Sequence, residues 1–340
     1  MTLLAQDKFA AQANEFVREL EGGAPVRSRV LIGDICDMDL GLAGREYKDL
    51  AAAVTHVYHF AAIYFLGVKR EEIFAVNVDG TRGILALCAE APKLERLAHL
   101  SSVYVHGTKT GVIMEEDLDP DPRFRNPYEE SKHRAEIEVR RASARIPTSI
   151  FRVPIIVGHS KTGEIDRFPG PYYLMIFLVA APFGFDLPLG LGGFGSSPLN
   201  VVPVDWIVDA IAQITQDPRG AGRTFHLTDP NPLPAKRIFD LVAAEAKKSG
   251  ARNLLTPALA RGILKMPGLD SLARIPRQAL DLFSGNTIYN CRNTLELLQE
   301  TKVRCPAFDG YAPQLVRYVQ SFLAKKHAEQ QARAEADPLE

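Results

Sequence analysis

The sequence predicts an α/β protein built on a doubly wound parallel sheet, followed by a smaller and mostly helical C-terminal region. Strand-like and helix-like segments alternate through the first half of the 340 residues, a pattern typical of a parallel sheet with helices on both faces. Apolar residues make up 46% and charged residues 24% of the chain, as in ordinary globular proteins. The second half is less regular, and residues 163–200 are rich in glycine, proline and aromatic residues.

The first helix is predicted over residues 4–20, where Phe9, Ala13, Phe16 and Leu20 fall on one helical stripe. The later elements are strands 28–34 and 54–62, helix 71–91, a strand within 94–107, helix 128–145, strand 148–158, a helix that Asp205 caps, strand 223–229 and helix 236–250. The tail after Leu323 is polar apart from its alanines, and we expect it to fray.

The charge balance argues against several classes of function. There are 40 basic and 41 acidic residues, so no basic excess is available to neutralise nucleic-acid phosphates. The longest apolar stretch, Tyr172–Phe185, contains Pro182 and Gly184 and is too short to span a bilayer. Asp7 and Lys8 interrupt the region where a signal peptide needs its apolar run, so the cytoplasm is the expected compartment.

The cysteines and histidines do not form a metal-binding pattern. No cysteine pair has the spacing of zinc ligands or of a redox motif. His56 and His59 lie three residues apart on a predicted strand, so they would point to opposite faces of the sheet. No metal site is expected.

One glycine-rich segment, Gly190–Gly195, matches the G-x-G-x-x-G pattern of dinucleotide-binding turns. Pro198 and a β-branched run follow it instead of a helix, which favours a flexible loop. The N-terminus offers no such turn, because the chain is predicted to open directly in a helix. The first β-α-β unit of a doubly wound fold, with its phosphate-binding turn, is therefore expected to be missing.

Tyr128 has a lysine, Lys132, one helical turn further along the chain, so both side chains share a helix face. A nearby ammonium would lower the pKa of a tyrosine and prepare it to exchange a proton with a carbonyl or alcohol oxygen. On spacing alone, a surface helix with a solvated lysine is the simpler interpretation.

Four segments accompany this pair in a fixed order: HFAA at 59–62, NVDGT at 77–81, HLSSVYVHG at 99–107 and FRVPIIVG at 151–158. Together these segments resemble the extended short-chain dehydrogenase/reductases, which are NAD(P)-dependent enzymes with a Rossmann-type fold. The segments GHSKTG at 158–163, PVD at 203–205 and FHLTDPNPL at 225–233 resemble the thioester reductase and fatty acyl-CoA reductase branch. That branch reduces acyl thioesters to aldehydes or alcohols, usually with NADPH.

The resemblance implies three catalytic residues. Tyr128 is the catalytic acid/base, Lys132 lowers its pKa and holds the nicotinamide ribose, and Ser102 orients the substrate oxygen. Ser101 is the weaker candidate for that role, as a strand residue facing the sheet. Asn77 is expected to brace the adjacent strand rather than to move protons.

The resemblance also implies a set of cofactor-binding residues. Asp34 and Ile35 follow a strand and would contact the adenine. Ala61 and Ala62 would pass the pyrophosphate and ribose, and Tyr128 and Lys132 also belong to this set. Pro154 and Ile155 would flank the nicotinamide. NADP is the expected cofactor, with NAD possible, because the residue that selects between them has no counterpart in the predicted elements.

The predicted domains follow from the same resemblance. A Rossmann-like dinucleotide-binding domain covers residues 1–158 and 200–229 and lacks its first β-α-β unit. A substrate-binding region covers residues 159–199 and 230–323, and a polar tail follows over 324–340.

The predicted function is NAD(P)H-dependent reduction of a carbonyl or acyl thioester on a lipophilic small-molecule substrate. The apolar run at 172–185 fits either an acyl pocket or plain core packing. Two alternatives stay open: a nucleotide-sugar epimerase or dehydratase, and a non-catalytic binding protein that has lost its cofactor loop. The resemblance also suggests a homodimer formed through the helices near 71–91 and 128–145.

Overall fold

The computed structural model describes residues 1–22, 28–64, 67–166, 172, 179, 197–247 and 286–336. In chain order the elements are β1 (Thr2–Ala5), α1 (Ala10–Glu21), β2 (Arg29–Ile32), α2 (Gly44–Ala53), β3 (His56–His59), α3 (Arg70–Phe74), α4 (Gly80–Glu90), β4 (Arg96–Ser102), β5 (Gly111–Ile113), α5 (Pro127–Ala142), β6 (Thr148–Val153), β7 (Ile155–Val157), β8 (Val201–Pro203), α6 (Val204–Gln216), β9 (Arg223–His226), α7 (Ala235–Glu245), β10 (Thr287–Tyr289), α8 (Arg292–Leu298) and α9 (Phe308–Ala336).

The chain divides into two compact units. The first unit comprises Met1–Gly107, Phe124–Phe151 and Thr215–Thr224. The second unit comprises Thr108–Arg123, Arg152–Ile214 and Phe225–Glu340. Each unit contains parallel strand pairs of its own.

The N-terminus of the first unit is a β-α-β arrangement. Strand β1 pairs in parallel with β2, Leu3 opposite Val30 and Leu4 opposite Leu31, and α1 connects the two strands. The prediction of a helix from residue 4 is therefore wrong at its start, because the main chain of the apolar segment Thr2–Ala5 hydrogen bonds to β2. The prediction of a helix is correct only from Ala10 onward.

A second sheet has four strands in the order β3-β4-β6-β9. Strands β3 and β4 run in parallel, with His59 opposite His99. An apolar cluster lies in the core of the first unit; its buried members are Leu31, Leu40, Leu42, Tyr47, Leu50, Ala51, Ile84, Leu87, Cys88, Leu97 and Ile146. The predicted α/β fold with parallel sheets is confirmed.

Strand β3 lies at one end of this sheet, so among the described strands it pairs with β4 alone. Beside that edge two aromatic side chains remain accessible, Tyr58 with 46% and Phe60 with 45% of its surface exposed. Their rings contact each other edge to face, with centroids 5.9 Å apart. Within the described part of the chain, the edge is therefore both unpaired and apolar.

The helix predicted over 71–91 is interrupted by a π-helical segment, Ala75–Asp79, between α3 and α4. The wider turn holds Asn77 and Val78 in buried positions. A single π turn within an α-helix commonly marks a functional position.

The second unit contains two short parallel pairs, β7 with β8 and β5 with β10. The predicted strand 148–158 is broken at Pro154, since proline has no N–H to donate to a ladder. Helix α9 continues to Ala336, so residues 324–336 are helical although the sequence predicts a frayed tail. Among the described helices, none has the length and hydropathy needed to cross a bilayer.

A buried carboxylate organises part of this unit. Glu115 follows β5 and accepts hydrogen bonds from the backbone N–H groups of His226, Asn293 and Thr294 at 2.9, 2.6 and 3.3 Å. It therefore caps the N-terminus of α8. The Gly190–Gly195 loop and, apart from Tyr172 and Val179, the apolar run 172–185 lie outside the described residues.

Candidate active site

Helix α5 carries the predicted acid/base pair, and its N-terminus is fixed by the local sequence. Asn126 precedes the helix, and its side chain accepts a 3.0 Å hydrogen bond from the backbone N–H of Glu129. Pro127 occupies the first helical position, where its missing N–H costs nothing. Glu129 accepts in return from the backbone N–H of Arg125 at 3.1 Å. These bonds fix the position of Tyr128 in the first turn.

Tyr128 and Ser102 meet where α5 begins and β4 ends. The Ser102 hydroxyl lies close enough to the Tyr128 hydroxyl to favour its phenolate form. Ser102 also accepts from the backbone N–H of Tyr104 at 3.2 Å, which holds it at the start of a tight turn over residues 103–106. The structure thus brings together two of the three predicted catalytic side chains.

The ionisation of Tyr128 differs from the prediction. Burial raises its pKa to about 12, and the nearby Ser102 hydroxyl offsets only part of this effect. The expected lowering by Lys132 is therefore wrong for this structure. The reason is that burial of the phenol disfavours the phenolate more than its neighbours stabilise it.

Lys132 is 5% exposed and lies on the face of α5 that packs on β4. Its ammonium donates a hydrogen bond to the main-chain carbonyl of Leu100. Burial lowers the pKa of Lys132 to about 8, whereas the negative charge of Glu136 raises it. The predicted solvated alternative is excluded, because this lysine is buried.

Ser101, expected from the sequence to face the sheet, has a side-chain contact with helix α5. Its hydroxyl donates a 2.6 Å hydrogen bond to Oε2 of Glu136 on α5. The other oxygen of Glu136 accepts from Nε of Arg140 at 3.0 Å, and Arg140 also reaches Oγ1 of Thr224 at 3.2 Å. A buried ionic network therefore lies one turn after Lys132.

Two buried histidines line the same region. Nε2 of His59 lies 2.9 Å from Oγ1 of Thr81, and the rings of His59 and His99 are 5.4 Å apart. Among the described residues, neither ring nitrogen of His99 has a hydrogen-bond partner. Burial and the charge of Lys132 lower the pKa of both histidines, so both are neutral at pH 7.

Asn77 braces the chain that follows β3. Its side-chain oxygen accepts from the N–H of Ile63 at 2.7 Å, and its amide donates to the carbonyl of Ile63 at 2.9 Å. The same amide donates to Oγ of Ser131 on α5 at 2.9 Å. The expectation of a bracing role agrees with these contacts. Ala61 and Ala62 lie in the braced segment, Ala61 with an exposed side chain.

The predicted adenine contacts follow β2. Asp34 accepts hydrogen bonds from Nε2 of Gln6 at 2.7 Å and from the N–H of Cys36 at 2.9 Å. The Cys36 bond is the main cause of its lowered pKa, and Lys8 contributes. Ile35 packs closely over Gly80 of α4. Asp34 is thus an ionised acceptor at the ends of β1 and β2.

The remaining predicted contacts belong to the second unit. Pro154 separates β6 from β7, and Ile155 begins β7 with a buried side chain. Asp205 lies inside the first turn of α6 rather than capping it, because the helix begins at Val204. Its carboxylate accepts from the N–H and hydroxyl of Ser160 at 2.8 and 2.6 Å.

A family model for NAD-binding domains, described as "Male sterility protein", matches residues 4–211. The chain belongs to the male sterility protein family.

Members and relatives of the male sterility protein family include reductases. The chain is 28% identical over 295 residues to a linear gramicidin synthase of Brevibacillus parabrevis, covering 82% of this chain and 6% of that protein. It is 30% identical over 200 residues to a carboxylic acid reductase of Segniliparus rugosus, covering 54% of this chain and 17% of the relative. The fatty acyl-CoA reductase wat of Drosophila melanogaster is 26% identical, with 53% and 40% covered. The chain thus spans between 6% and 40% of the length of these relatives.

Solved structures support the fold. The terminal R domain of the myxalamid PKS-NRPS pathway superposes with a TM-score of 0.74 at 24% identity, covering 94% of this chain and 83% of that one. A UDP-glucuronic acid 4-epimerase from Bacillus cereus superposes with a TM-score of 0.62 at 19% identity, covering 92% and 87%. This chain of the male sterility protein family therefore has a Rossmann-like α/β fold similar to those of the R domain and the epimerase.

Two of the residues predicted to bind a dinucleotide offer hydrogen-bonding groups of suitable chemistry. The Lys132 ammonium has three N–H groups, and one of them donates to the carbonyl of Leu100, so the others are suited to donating to ribose hydroxyls. Asp34 offers the acceptor oxygens of an ionised carboxylate after β2. Among the described residues no glycine-rich turn follows a strand, and the segment after β1 contains none.

Sequence reasoning missed two groups of residues. Gln6 and Lys8 follow β1, a strand that the sequence analysis assigns in part to a helix; the run Leu3–Ala5 just before them is the pattern that could have indicated it. In the sequence, only its place one helical turn after Lys132 could have pointed to Glu136.

Proposed function

We propose that this chain is an NAD(P)H-dependent reductase that acts on the carbonyl or acyl thioester of a lipophilic substrate, with Tyr128 as the proton donor. The observation that carries the proposal is the contact between Tyr128 and Ser102 beside the buried Lys132. Three groups with these chemistries on two adjoining elements suit a carbonyl reduction better than a scaffold.

Each side chain has a defined task in this reaction. Ser102 donates a hydrogen bond to the substrate oxygen and places it next to the Tyr128 hydroxyl. Tyr128, with a pKa of about 12, holds its proton at neutral pH and gives it to the oxygen as negative charge develops there. Lys132 holds the ribose hydroxyls of the nicotinamide. When bound, the reduced nicotinamide supplies the hydride.

The substrate class comes from the relatives. Those named as carboxylic acid reductase and fatty acyl-CoA reductase are similar over about half of this chain. We therefore propose an acyl thioester or the derived aldehyde as substrate. The whole proteins are much longer, so the group that delivers the acyl chain belongs to the proposal as well.

NADPH is the proposed cofactor. Lys8 is a cation close enough to Asp34 to lower its pKa, and it could pair with an additional phosphate on the adenosine ribose. A homodimer and a cytoplasmic location complete the proposal; light scattering and cell fractionation test them.

The test is a substrate panel of acyl-CoA thioesters, aldehydes and UDP-sugars, each with NADPH and NADH. We expect oxidation of NADPH with acyl thioesters or aldehydes, and a loss of about 10²–10⁴-fold in kcat for Tyr128→Phe. Conversion of a UDP-sugar without net NADPH oxidation would favour the epimerase alternative. No turnover and no nucleotide binding by calorimetry would leave the non-catalytic alternative.

A further inference from the structure

We infer that Glu136 is a positioning residue for Lys132: its fixed, buried carboxylate one helical turn away keeps the Lys132 ammonium charged. The inference rests on the proposed function only for the use of Lys132 in cofactor binding. Its physical core, the coupling of two buried charges, is measurable without any reaction.

Glu136 is held rigidly from both sides. Its side chain is fully buried, with Ser101 of β4 donating to one oxygen at 2.6 Å and Arg140 donating to the other at 3.0 Å. Arg140 is itself tied to Thr224 at 3.2 Å. The carboxylate therefore cannot swing into solvent, and its charge stays one helical turn from Lys132.

The buried groups of the elements packed against this part of α5 give Lys132 no other negative charge among the described residues. His59 on β3 and His99 on β4 are neutral, and Thr81 and Asn77 of the preceding helices are uncharged. Tyr128 on the same helix keeps its proton.

The acidic residues Glu71, Glu72 and Asp79 of the preceding helices have exposed side chains. Arg70 of α3 pairs with Glu130, and Arg82 of α4 pairs with Glu138, both on α5. In the part of the chain that the structure describes, Glu136 is the carboxylate whose charge acts on Lys132.

A charge balance follows from this arrangement. Burial alone lowers the pKa of a lysine, whereas a fixed carboxylate one helical turn away raises it. With both effects the pKa of Lys132 is about 8, just above neutrality. Without Glu136 the lysine would lose its charge within the working range.

A double-mutant cycle tests the coupling directly. We compare the Tm at pH 7 of the wild type, Glu136→Gln, Lys132→Met and the double variant. The Tm loss caused by Glu136→Gln should be smaller when Lys132 is absent, because the coupling to Lys132 is then missing. The part of the loss that comes from the contacts with Ser101 and Arg140 is the same in both backgrounds and cancels. Equal losses in both backgrounds would overturn the inference.

A second readout follows NADPH binding by fluorescence as a function of pH. Binding to the wild type should weaken as the pH rises through about 8, where Lys132 loses its proton. In Glu136→Gln this alkaline limb of the binding curve, where binding weakens, should lie about one pH unit lower. Glu138→Gln, on the same helix but paired with Arg82 at the surface, should not move it.

The outcomes separate the two proposals. An unmoved limb in Glu136→Gln contradicts the positioning role. Absence of NADPH binding in every variant contradicts the proposed function, while the Tm cycle still decides the coupling. If Glu136→Gln does not fold, Ser101→Ala loosens the carboxylate and should move the limb in the same direction; an unmoved limb there overturns the inference.

Discussion

Tyr128 and Lys132 share one helix face, yet burial moves their pKa values in opposite directions, to about 12 and about 8. At neutral pH the phenol is protonated and the ammonium is charged, which suits donation of a proton. The reverse reaction needs a phenolate, which burial disfavours. These protonation states agree with the proposed role of Tyr128 as a proton donor in a reduction.

The neighbouring serines permit a matched comparison at the residue scale. Ser102→Ala removes the hydroxyl that contacts Tyr128. We expect kcat to fall about 10²-fold, as for loss of one donor to a developing oxyanion, with little change in Tm.

Ser101→Ala is the control for this prediction. It removes the bond to buried Glu136 and should lower the stability by about 1–3 kcal/mol, with a smaller effect on kcat at neutral pH. Steady-state kinetics and thermal denaturation of both variants provide the check. The reverse assignment, with Ser101→Ala the more damaging to kcat, would contradict the role given to Ser102.

At the scale of elements, α4 and the loop after β2 approach each other through a glycine. A Cβ on Gly83 would lie 2.8 Å from the carbonyl oxygen of Ile35 and 3.3 Å from the side chain of Leu40. Propensity alone predicts that alanine inside a helix gains about 1 kcal/mol over glycine. The contact with backbone reverses that sign.

We therefore expect Gly83→Ala to lower Tm and to weaken adenosine nucleotide binding, because the loop carries Asp34 and Ile35. Gly44→Ala at the start of α2, where a Cβ meets nothing within 4 Å, should leave Tm unchanged or raised. Differential scanning fluorimetry of both variants tests this. A stabilised Gly83→Ala would show that the loop can move without cost.

The cap of α8 permits a second prediction at this scale. Glu115 is 1% exposed and accepts three backbone N–H bonds, so Glu115→Ala leaves buried donors unsatisfied. We expect a loss of about 2–3 kcal/mol in the free energy of unfolding.

Glu116→Ala is the matched control. This neighbour is exposed and bonds the side chain of Asn293, so its replacement should cost less than about 0.5 kcal/mol. Urea denaturation separates the two. Similar losses for both variants would argue against a buried cap.

For the whole molecule, the two histidines predict how stability depends on pH. Burial lowers the pKa of His59 from 6.5 to about 3 and that of His99 well below its ordinary value. Below about pH 6.5 the two histidines therefore bind protons in the unfolded chain but not in the folded chain. Stability should fall as the pH drops below about 6.5, by up to about 1.4 kcal/mol per unit for each histidine.

His99→Leu should reduce this slope and raise stability at pH 7 by about 1 kcal/mol, since it removes two ring nitrogens that have no partner among the described residues. Denaturation curves between pH 5 and pH 7 give both quantities. Identical slopes for the variant and the wild type would mean that His99 takes up protons in the folded state.

Local patterns in the sequence predict most of the long elements of this chain. Helical spacing predicts α5 and α6, and apolar runs predict β2, β3 and β4, because neighbours along the chain determine those features. Strand β1 is missed because its four residues resemble the start of a helix. Strands β8 and β10 have three residues each and depend on partners far away in sequence.

The site divides in the same way. The spacing of Tyr128 and Lys132 is local and readable, whereas the bond from Ser101 to Glu136 joins positions 35 residues apart. The raised pKa of Tyr128 depends on burial, which only the folded chain creates.

The outer edge of β3 has a consequence for handling the purified protein. Its backbone groups, which pair with no other described strand, and the accessible rings of Tyr58 and Phe60 form a template onto which another polypeptide segment can add as a strand. Concentrated stocks should therefore become turbid on storage, faster when warmed, while enzyme freshly diluted from them stays clear. Tyr58→Lys places a charge at that edge and should lengthen the shelf life.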